Sequence, residues 1–162
     1  MTHDTPQPLD EHLLRAALAV AVRARKNGNH PFGALLTDEK GRVLLEAENT
    51  VVTDSDVTAH AETNLVRSAS RTLAPQQLAT ATLYTSTEPC AMCAGAIYWS
   101  GIPRVVYALG EDELCVLAGA GGEHPLLALP SRQVFAHGHP VVEVAGPYLH
   151  DEAAAVHAGF WT

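Results

Sequence analysis

Two short motifs, separated by 30 positions, constrain the fold of this chain more than any other feature. The first is His60-Ala61-Glu62 and the second is Pro89-Cys90-Ala91-Met92-Cys93, and each stands where a helix is predicted to begin. The interval between them holds one predicted helix and one predicted strand, which is the size of a strand–helix–strand unit. The two helix starts can therefore meet at the same end of a sheet and form one site there.

Predicted strands and helices fill the rest of the sequence, and they alternate after residue 58. Apolar spacing predicts five helices, the first with Asp10 as its cap, over 10–27, 59–71, 91–99, 111–117 and 150–161. Strands are predicted over 32–37, 43–47, 81–86, 104–108, 133–136 and 141–144, with a Gly/Pro loop over 119–130. This order predicts an α/β domain with helices on both faces of the sheet. Since the sequence contains no internal repeat or linker, we expect a single domain over 1–162.

The charge and the apolar patterning argue against several classes of function. Asp and Glu number 18 against 10 Lys and Arg, which gives a net charge of −8. Because phosphate binding needs Lys and Arg, we expect no nucleic-acid partner. The longest apolar stretch, 13–22, contains Arg15 and is shorter than the ~20 residues of a membrane span. The first ten residues lack the basic and apolar regions of an export signal, so we expect a cytoplasmic protein with reduced thiols and no membrane contact.

Cys90, Cys93 and His60 have the residue types and the spacing of a zinc site. The two cysteines lie within one helical turn, so both sulfurs can bind one ion, and the histidine supplies a third ligand from the other helix. Three protein ligands leave the fourth tetrahedral position for water, which is the arrangement of a catalytic zinc. Glu62 can reach this water from the first helical turn without binding the metal. A closed structural site, with Cys115 or another histidine as fourth ligand, is the alternative.

The order H-x-E, then P-C-x-x-C, is the signature of zinc-dependent nucleobase deaminases, and this sequence resembles the cytidine deaminase-like superfamily. Over residues 10–113 it looks like bacterial guanine deaminase through the segments Pro31-Phe32-Gly33-Ala34, Asp56 to Glu62, Leu83-Tyr84-Thr85-Ser86, Glu88 to Cys93 and Gly95-Ala96-Ile97-Tyr98-Trp99. The resemblance implies a three-layer α/β/α fold with a mixed five-stranded sheet. It also implies one Zn²⁺ per chain and a homodimer.

The resemblance assigns chemical roles to the two motifs. His60, Cys90 and Cys93 would bind zinc, whose bound hydroxide would attack the carbon that carries the amino group. Glu62 would take a proton from the zinc-bound water and pass it to a ring nitrogen, and would later give a proton to the departing nitrogen, which leaves as ammonia. The backbone N–H of Ala61 would face an exocyclic oxygen of the base.

Three further side chains are candidates for contact with the base. In guanine deaminases an asparagine at the position of Asn49 forms hydrogen bonds with the base, and the alternative role of Asn49 is to stabilise a turn. Phe32 and Trp99 could line the base pocket, and core packing is the alternative for each.

A second acid and an aromatic residue late in the chain complete the predicted site. Guanine deaminases carry an acid for which Glu113 fits the spacing better than Glu111 or Asp112, and we assign it as a second catalytic carboxylate that accepts from N–H donors of guanine. A solvated acidic helix turn is the alternative. In guanine deaminases a C-terminal aromatic residue of the neighbouring subunit closes the site, and this resemblance implies the same role for Trp161 or Phe160, in the site of its own chain or of the partner. Packing on its own domain is the alternative.

The predicted function is zinc-dependent hydrolytic deamination of a small aminated nucleobase, with guanine, converted to xanthine and ammonia, as the first candidate. The alternatives are cytosine, a cytidine-type nucleoside or an amino-s-triazine, because a few pocket hydrogen bonds decide specificity. A tRNA adenosine deaminase is disfavoured because no Lys or Arg follows Arg132. A non-catalytic zinc module is disfavoured because it has no chemical need for Glu62.

Overall fold

The computed structural model describes residues 7–119 and 127–161. The elements in chain order are α1 (Pro8–Lys26), β1 (Gly33–Thr37), β2 (Val43–Glu48), α2 (Val51–Asp54), α3 (Ala61–Thr72), α4 (Pro75–Leu78), β3 (Thr82–Thr87), α5 (Ala91–Ser100), β4 (Arg104–Leu109), α6 (Glu111–Leu117), α7 (Ser131–Ala136), β5 (Glu143–Ala145) and α8 (His150–His157). None of the helices within these two ranges is long and apolar enough to cross a membrane.

The strands form one mixed sheet in the order β2-β1-β3-β4-β5. Strand β1 is antiparallel to β2 and β3, whereas β3, β4 and β5 run parallel to one another. The predicted mixed five-stranded sheet is confirmed. Because β2, β3 and β4 share one direction, their carboxyl ends lie at the same end of the sheet, together with the amino end of β1.

Helices cover both faces of the sheet, which confirms the three-layer arrangement. On one face α1 and α8 pack on the sheet through an apolar core that includes Leu14, Leu35 and Val106. On the other face α3, α5 and α7 share a core that includes Leu65, Ile97 and Phe135. The sheet therefore separates two apolar cores. Burial of apolar side chains in the second core holds α3 and α5 against the sheet, with their first residues at one end of it.

Close packing of α1 requires glycine at the start of β1. A Cβ atom on Gly33 would lie 2.4 Å from the backbone nitrogen of Ala21 and 2.7 Å from the carbonyl oxygen of Ala17. The Gly33 N–H donates to the Ser86 hydroxyl at 3.1 Å. These contacts fix the amino end of β1, and the residue before it, against the end of β3.

Two local predictions are wrong. Helix α1 begins at Pro8 with Gln7 as its N-cap, and Asp10 is instead buried in its first turn, where it accepts hydrogen bonds from Arg104 and from the Tyr84 hydroxyl. Residues 133–136, predicted as a strand, belong to α7, which packs against α5 and places Phe135 in the apolar core. The predicted loop over 119–130 lies partly outside the described residues.

Candidate active site

Three metal-binding side chains meet where α3 and α5 begin. His60 is the N-cap of α3 and Cys90 is the N-cap of α5. The His60 Nδ1 atom lies 3.6 Å from Cys90 Sγ and 3.5 Å from Cys93 Sγ, and the two sulfurs are 3.6 Å apart. Among the described residues these three form the only cluster of this kind whose ligand atoms all lie within 4.8 Å of one another.

These distances fit a tetrahedral zinc ion. Zinc–sulfur bonds of about 2.3 Å and a zinc–nitrogen bond of about 2.0 Å separate two sulfurs by about 3.8 Å and a sulfur from a nitrogen by about 3.5 Å. The three atoms therefore already stand at the corners of one face of such a tetrahedron. The donor set of two thiols and one imidazole also matches zinc preference, and no fourth described residue joins the cluster.

The electrostatics of the cluster favour a bound dication. Hydrogen bonds with Cys93 and His60 lower the pKa of Cys90 to about 4, which favours the thiolate form of this sulfur. The hydrogen bond with Cys90, together with burial, raises the pKa of Cys93. A zinc ion would compensate both sulfurs, because its charge stabilises thiolates that would otherwise repel each other.

Glu62 lies beside this cluster in the first turn of α3. It is buried, and the Thr85 hydroxyl donates a 2.6 Å hydrogen bond to its Oε1 atom from inside β3. The other oxygen, Oε2, lies 3.6 Å from Cys93 Sγ. Burial raises the pKa of the Glu62 carboxyl, which brings this group towards the range where a carboxyl can accept and return a proton near neutral pH.

Two buried polar groups near the same end of the sheet lack hydrogen-bond partners among the described residues: Asn49 Nδ2 and Thr87 Oγ1. Asn49 follows β2, and its Oδ1 atom accepts from the Val51 N–H while its own backbone N–H donates to the Phe32 carbonyl. These two contacts hold Asn49 in place, and its side-chain NH₂ group donates no hydrogen bond to a described residue. A buried donor without an acceptor is costly, and a ligand with an acceptor atom would relieve that cost.

Glu88, which the sequence places in a resembling segment without assigning it a role, connects the cysteine loop to α6 and α7. Its Oε1 atom accepts from the backbone N–H and the hydroxyl of Ser131 at 2.9 and 2.6 Å, and its Oε2 atom accepts from the Glu111 N–H at 3.2 Å. Its backbone N–H donates to Leu109. The sequence signal for this role is the position of Glu88 directly before Pro89 and Cys90. Its partners Ser131 and Glu111 lie 43 and 23 positions away, and sequence spacing does not reveal how those segments pack.

The acidic run after β4 divides between two environments. Glu113 Oε2 accepts from the Gly110 N–H, and Glu113 Oε1 pairs with His150 Nε2 at 3.1 Å. Glu113 therefore links α6 to α8. Glu111 is the acid nearer to the cysteine loop, and burial together with the charge of Glu88 raises its pKa to about 7.

The predicted aromatic residues are found in two different places. The Trp161 ring centre lies 6.1 Å from that of Phe32 in the same chain, and Phe32 precedes β1 at the end of the sheet where α3 and α5 begin. Trp99 instead lies on the outer side of α5 with 86% of its surface exposed. Within one chain the structure brings Phe32 and Trp161 together and keeps Trp99 apart from them.

A surface cavity of about 260 Å³ lies elsewhere, where β1 ends and β3 and β4 begin. Its charged lining residues are Asp10, Asp38, Glu39 and Arg104. Asp10 and Arg104 form a two-pronged ion pair with both contacts at 3.0 Å, and Asp38 pairs with Arg42. Because three of these four charges already have a partner of opposite charge, this cavity is a weaker candidate than the cysteine and histidine cluster.

Comparison with known proteins agrees with this geometry. A family model of the cytidine and deoxycytidylate deaminase zinc-binding region matches residues 7–109. The probable cytosine deaminase of Schizosaccharomyces pombe is 48% identical over 149 residues, covering 91% of this chain and 90% of that protein. The guanine deaminase of Bacillus subtilis is 42% identical over 99 residues, covering 60% and 63%. A structure from a study of A-to-I editing by tRNA:A34 deaminases has a TM-score of 0.71 at 28% identity and covers 90% of this chain and 99% of that chain.

Proposed function

We propose that this chain, which belongs to the cytidine and deoxycytidylate deaminase zinc-binding family, hydrolyses the exocyclic amine of a free nucleobase and releases ammonia. Family membership makes it a zinc-dependent hydrolase of C–N bonds. One observation carries the proposal. The ligand atoms of His60, Cys90 and Cys93 are spaced as zinc requires, and the Glu62 carboxylate lies beside them without belonging to the ligand set.

The proposed chemistry divides between the metal and Glu62. When bound by His60, Cys90 and Cys93, zinc supplies a water molecule of lowered pKa. Glu62 takes up the proton that this water loses and delivers it to the ring nitrogen next to the reacting carbon. As the C–O bond forms and the C–N bond breaks, Glu62 would take the second proton from the hydroxyl group added to the ring carbon and give it to the leaving nitrogen, so that base and water become a carbonyl product and ammonia. Thr85 holds Oε1 of Glu62, which leaves Oε2 for these transfers.

Two donors in the proposed pocket suit the acceptor atoms of a base. Asn49 Nδ2 is buried without a partner among the described residues. The Ala61 N–H is at the first position of α3, where a helix provides no acceptor for its own N–H groups. A carbonyl oxygen has two lone pairs and can accept from both donors, and guanine and cytosine each carry one. Phe32 and Trp161 would supply an apolar aromatic wall for the flat ring.

Cytosine and guanine are the two bases to test first. The motifs of residues 10–113 favour guanine by resemblance, but the match to guanine deaminase spans only 99 residues. The match to the probable cytosine deaminase spans 149 residues, or 91% of this chain, and so extends beyond α6 into the part of the chain that contributes α7 and β5. Because this match covers more of the chain than the match to guanine deaminase, we place cytosine first and guanine second.

A structured RNA is a weaker candidate substrate. The segment after Arg132 contains no Lys or Arg, and the net charge of the chain is −8. An RNA backbone would meet no compensating charge there, and binding that depends on phosphate contacts would be weak at physiological salt.

We also propose that two copies associate through the outer face of α5. This helix contains no charged residue, and its exposed side presents Met92 and Trp99 with open space above Gly95. A helix that is apolar on all sides is normally buried on all sides. Light scattering at micromolar concentration should give a dimer, and Trp99→Glu should give a monomer, whereas Val43→Glu on β2 should not. A monomeric parent protein would contradict this association.

Ammonia release from a panel of amines tests the substrate assignment. The zinc-loaded chain is incubated with cytosine, guanine, cytidine, an amino-s-triazine and a transfer RNA, with a chelator-treated sample as control. We expect release from cytosine or guanine only, and none after metal removal. Release from the RNA alone would overturn the free-base proposal. If guanine is the substrate, Glu113→Ala should lower its turnover far more than any residual turnover of cytosine.

A further inference from the structure

A buried histidine outside the metal cluster contacts the aromatic wall. His157, the last residue of α8, is 4% exposed. Its ring lies parallel to that of Trp161, with 6.0 Å between the ring centres and 13° between the planes. The Trp161 Nε1–H donates a 3.1 Å hydrogen bond to His157 Nδ1. His157 thus contacts both the ring and the only polar atom of this indole, while the rings of His30 and Phe160 also contact the indole ring.

The same histidine also contacts the residue that borders the proposed pocket. The ring centres of His157 and Phe32 are 5.4 Å apart, and those of Trp161 and Phe32 are 6.1 Å apart. The Phe32 carbonyl accepts the backbone N–H of Asn49, whose side-chain Nδ2 has no partner among the described residues. One continuous set of contacts thus runs from His157 through Phe32 to the backbone of Asn49, the residue that carries the unused donor.

The chemistry of the hydrogen bond requires a neutral imidazole. For Nδ1 to accept from an indole N–H, it must be unprotonated, and the single ring proton is then on Nε2. Burial and the nearby Arg25 guanidinium lower the pKa of His157 to about 4, which keeps the imidazole in this form at neutral pH. Arg25 also donates to the Val156 carbonyl at 2.8 Å and lies over the Phe160 ring at 5.5 Å.

We infer that His157 is a positioning residue, which holds the Trp161 ring as the cover of the base pocket in its own chain. This inference rests on the proposed function for the identity of the ligand, but not for the contact itself. A base that binds under a fixed indole ring buries its apolar face. Since the Trp161 side chain is already ordered, binding does not have to restrict its motion. Loss of the His157 acceptor should therefore weaken substrate binding more than it slows the chemical step.

Four variants separate the hydrogen bond from simple packing. His157→Asn retains an acceptor oxygen at the position of Nδ1, whereas His157→Leu retains apolar volume without an acceptor. Trp161→Phe removes the donor and keeps an aromatic ring, and it remains informative if His157→Leu does not fold. The double variant His157→Leu/Trp161→Phe completes a double-mutant cycle.

The contact itself is tested by NMR without any substrate. The chain has two tryptophans, so ¹⁵N-tryptophan labelling gives two indole N–H signals, and Trp161→Phe identifies one of them. We expect the Trp161 N–H to exchange slowly with solvent in the parent and in His157→Asn, and rapidly in His157→Leu. Equal exchange in the parent and in His157→Leu would overturn the positioning role even if no base is deaminated.

Steady-state kinetics then tests the consequence for the pocket. With the active base, His157→Leu and Trp161→Phe should each raise KM by about tenfold and change kcat by less than about threefold. The double variant should be little worse than either single variant, and His157→Asn should restore most of the loss. Additive losses, or a loss confined to kcat, would overturn the inference. Absence of turnover by the parent on every base would instead contradict the proposed function.

Discussion

The Thr85 hydroxyl donates to Glu62 Oε1 across 2.6 Å, and so the centre of strand β3 holds a carboxylate of the neighbouring helix α3. Both side chains are buried, with Thr85 fully enclosed. The hydrogen bond fixes the rotation of the carboxylate and leaves Oε2 on the side of Cys93. The sheet thereby orients the group that we propose as the proton carrier.

Thr85→Val should slow turnover while leaving the metal in place. The substitution keeps the branched shape and removes the hydroxyl, so the orienting hydrogen bond is lost and a buried carboxylate oxygen is left without its donor. We expect kcat to fall by roughly 10- to 100-fold, which corresponds to about 1.4–2.7 kcal/mol. Thr85→Ser, which keeps the hydroxyl, should stay close to the parent. Equal kcat values for Thr85→Val and the parent would show that β3 does not orient Glu62.

Asn49→Asp tests whether the unused amide donor recognises the base. Aspartate keeps the oxygen that accepts from Val51 but replaces the Nδ2 donor with a second acceptor. We expect kcat/KM to fall by at least about 100-fold, because a donor to the base is lost and a negative charge faces an acceptor atom. Circular dichroism and zinc content should stay unchanged. Parent-like kcat/KM in Asn49→Asp would assign this side chain to the turn alone.

Glu88→Ala should destabilise the fold around the cysteine loop. The Ser131 N–H and hydroxyl would lose their acceptor, and Ser131 is fully buried. Hydrogen bonds to a charged group typically contribute about 1.5–3 kcal/mol, and we expect a loss of this order in the free energy of unfolding by urea. Glu88→Gln keeps one acceptor oxygen and should lose less. If Glu88→Ala unfolds at the parent's urea concentration, the connection between the loop and α7 is unimportant for stability.

His157 should make stability depend on pH between about 6.5 and 4. Its pKa is lowered to about 4 in the folded chain from an ordinary value of 6.5, so the unfolded chain binds this proton at a higher pH than the folded chain does. Stability therefore decreases as pH falls through this window, by up to about 3 kcal/mol from this residue. Two other basic groups lie beside the residues that surround His157. Arg25 donates to the Val156 carbonyl, and the His30 ring contacts the Trp161 ring.

Urea unfolding at several pH values checks this dependence. The difference in stability between the parent and His157→Leu should shrink, or change sign, as pH falls from 6.5 to 4.5, because the leucine variant has no proton to bind there. A difference that stays constant across this range would show that His157 has an unshifted pKa.

The metal cluster could be predicted from the sequence because two short motifs contain all of its ligands. The cysteine spacing and the H-x-E order place ligands at helix starts, and a strand–helix–strand unit of ordinary handedness brings those starts together. The two mistaken elements have equally physical causes. Asp10 resembles a cap, but burial beside Arg104 and Tyr84 places it inside α1, and four residues at 133–136 are too few to separate a strand period from a helix period.

The outer parts of the site depend on contacts between distant segments. Glu88 and Ser131 are 43 positions apart, and His157 contacts Phe32 across most of the chain. Neither pair has a spacing rule that would reveal it. Sequence patterns favour Glu113 as the second acid, and its role in the pocket stays a prediction, while the structure adds its contact with His150.

One paired measurement tests the central claim most directly: zinc content and ammonia release, determined on the same samples of the parent and of Glu62→Gln. Glutamine keeps the shape of the side chain and its acceptor for Thr85 but cannot carry a proton. The account predicts one zinc per chain in both proteins, ammonia from a free base with the parent, and a rate lower by several orders of magnitude, at least about 1,000-fold, with the variant. A parent without zinc, or a variant that releases ammonia at the parent's rate, would contradict it.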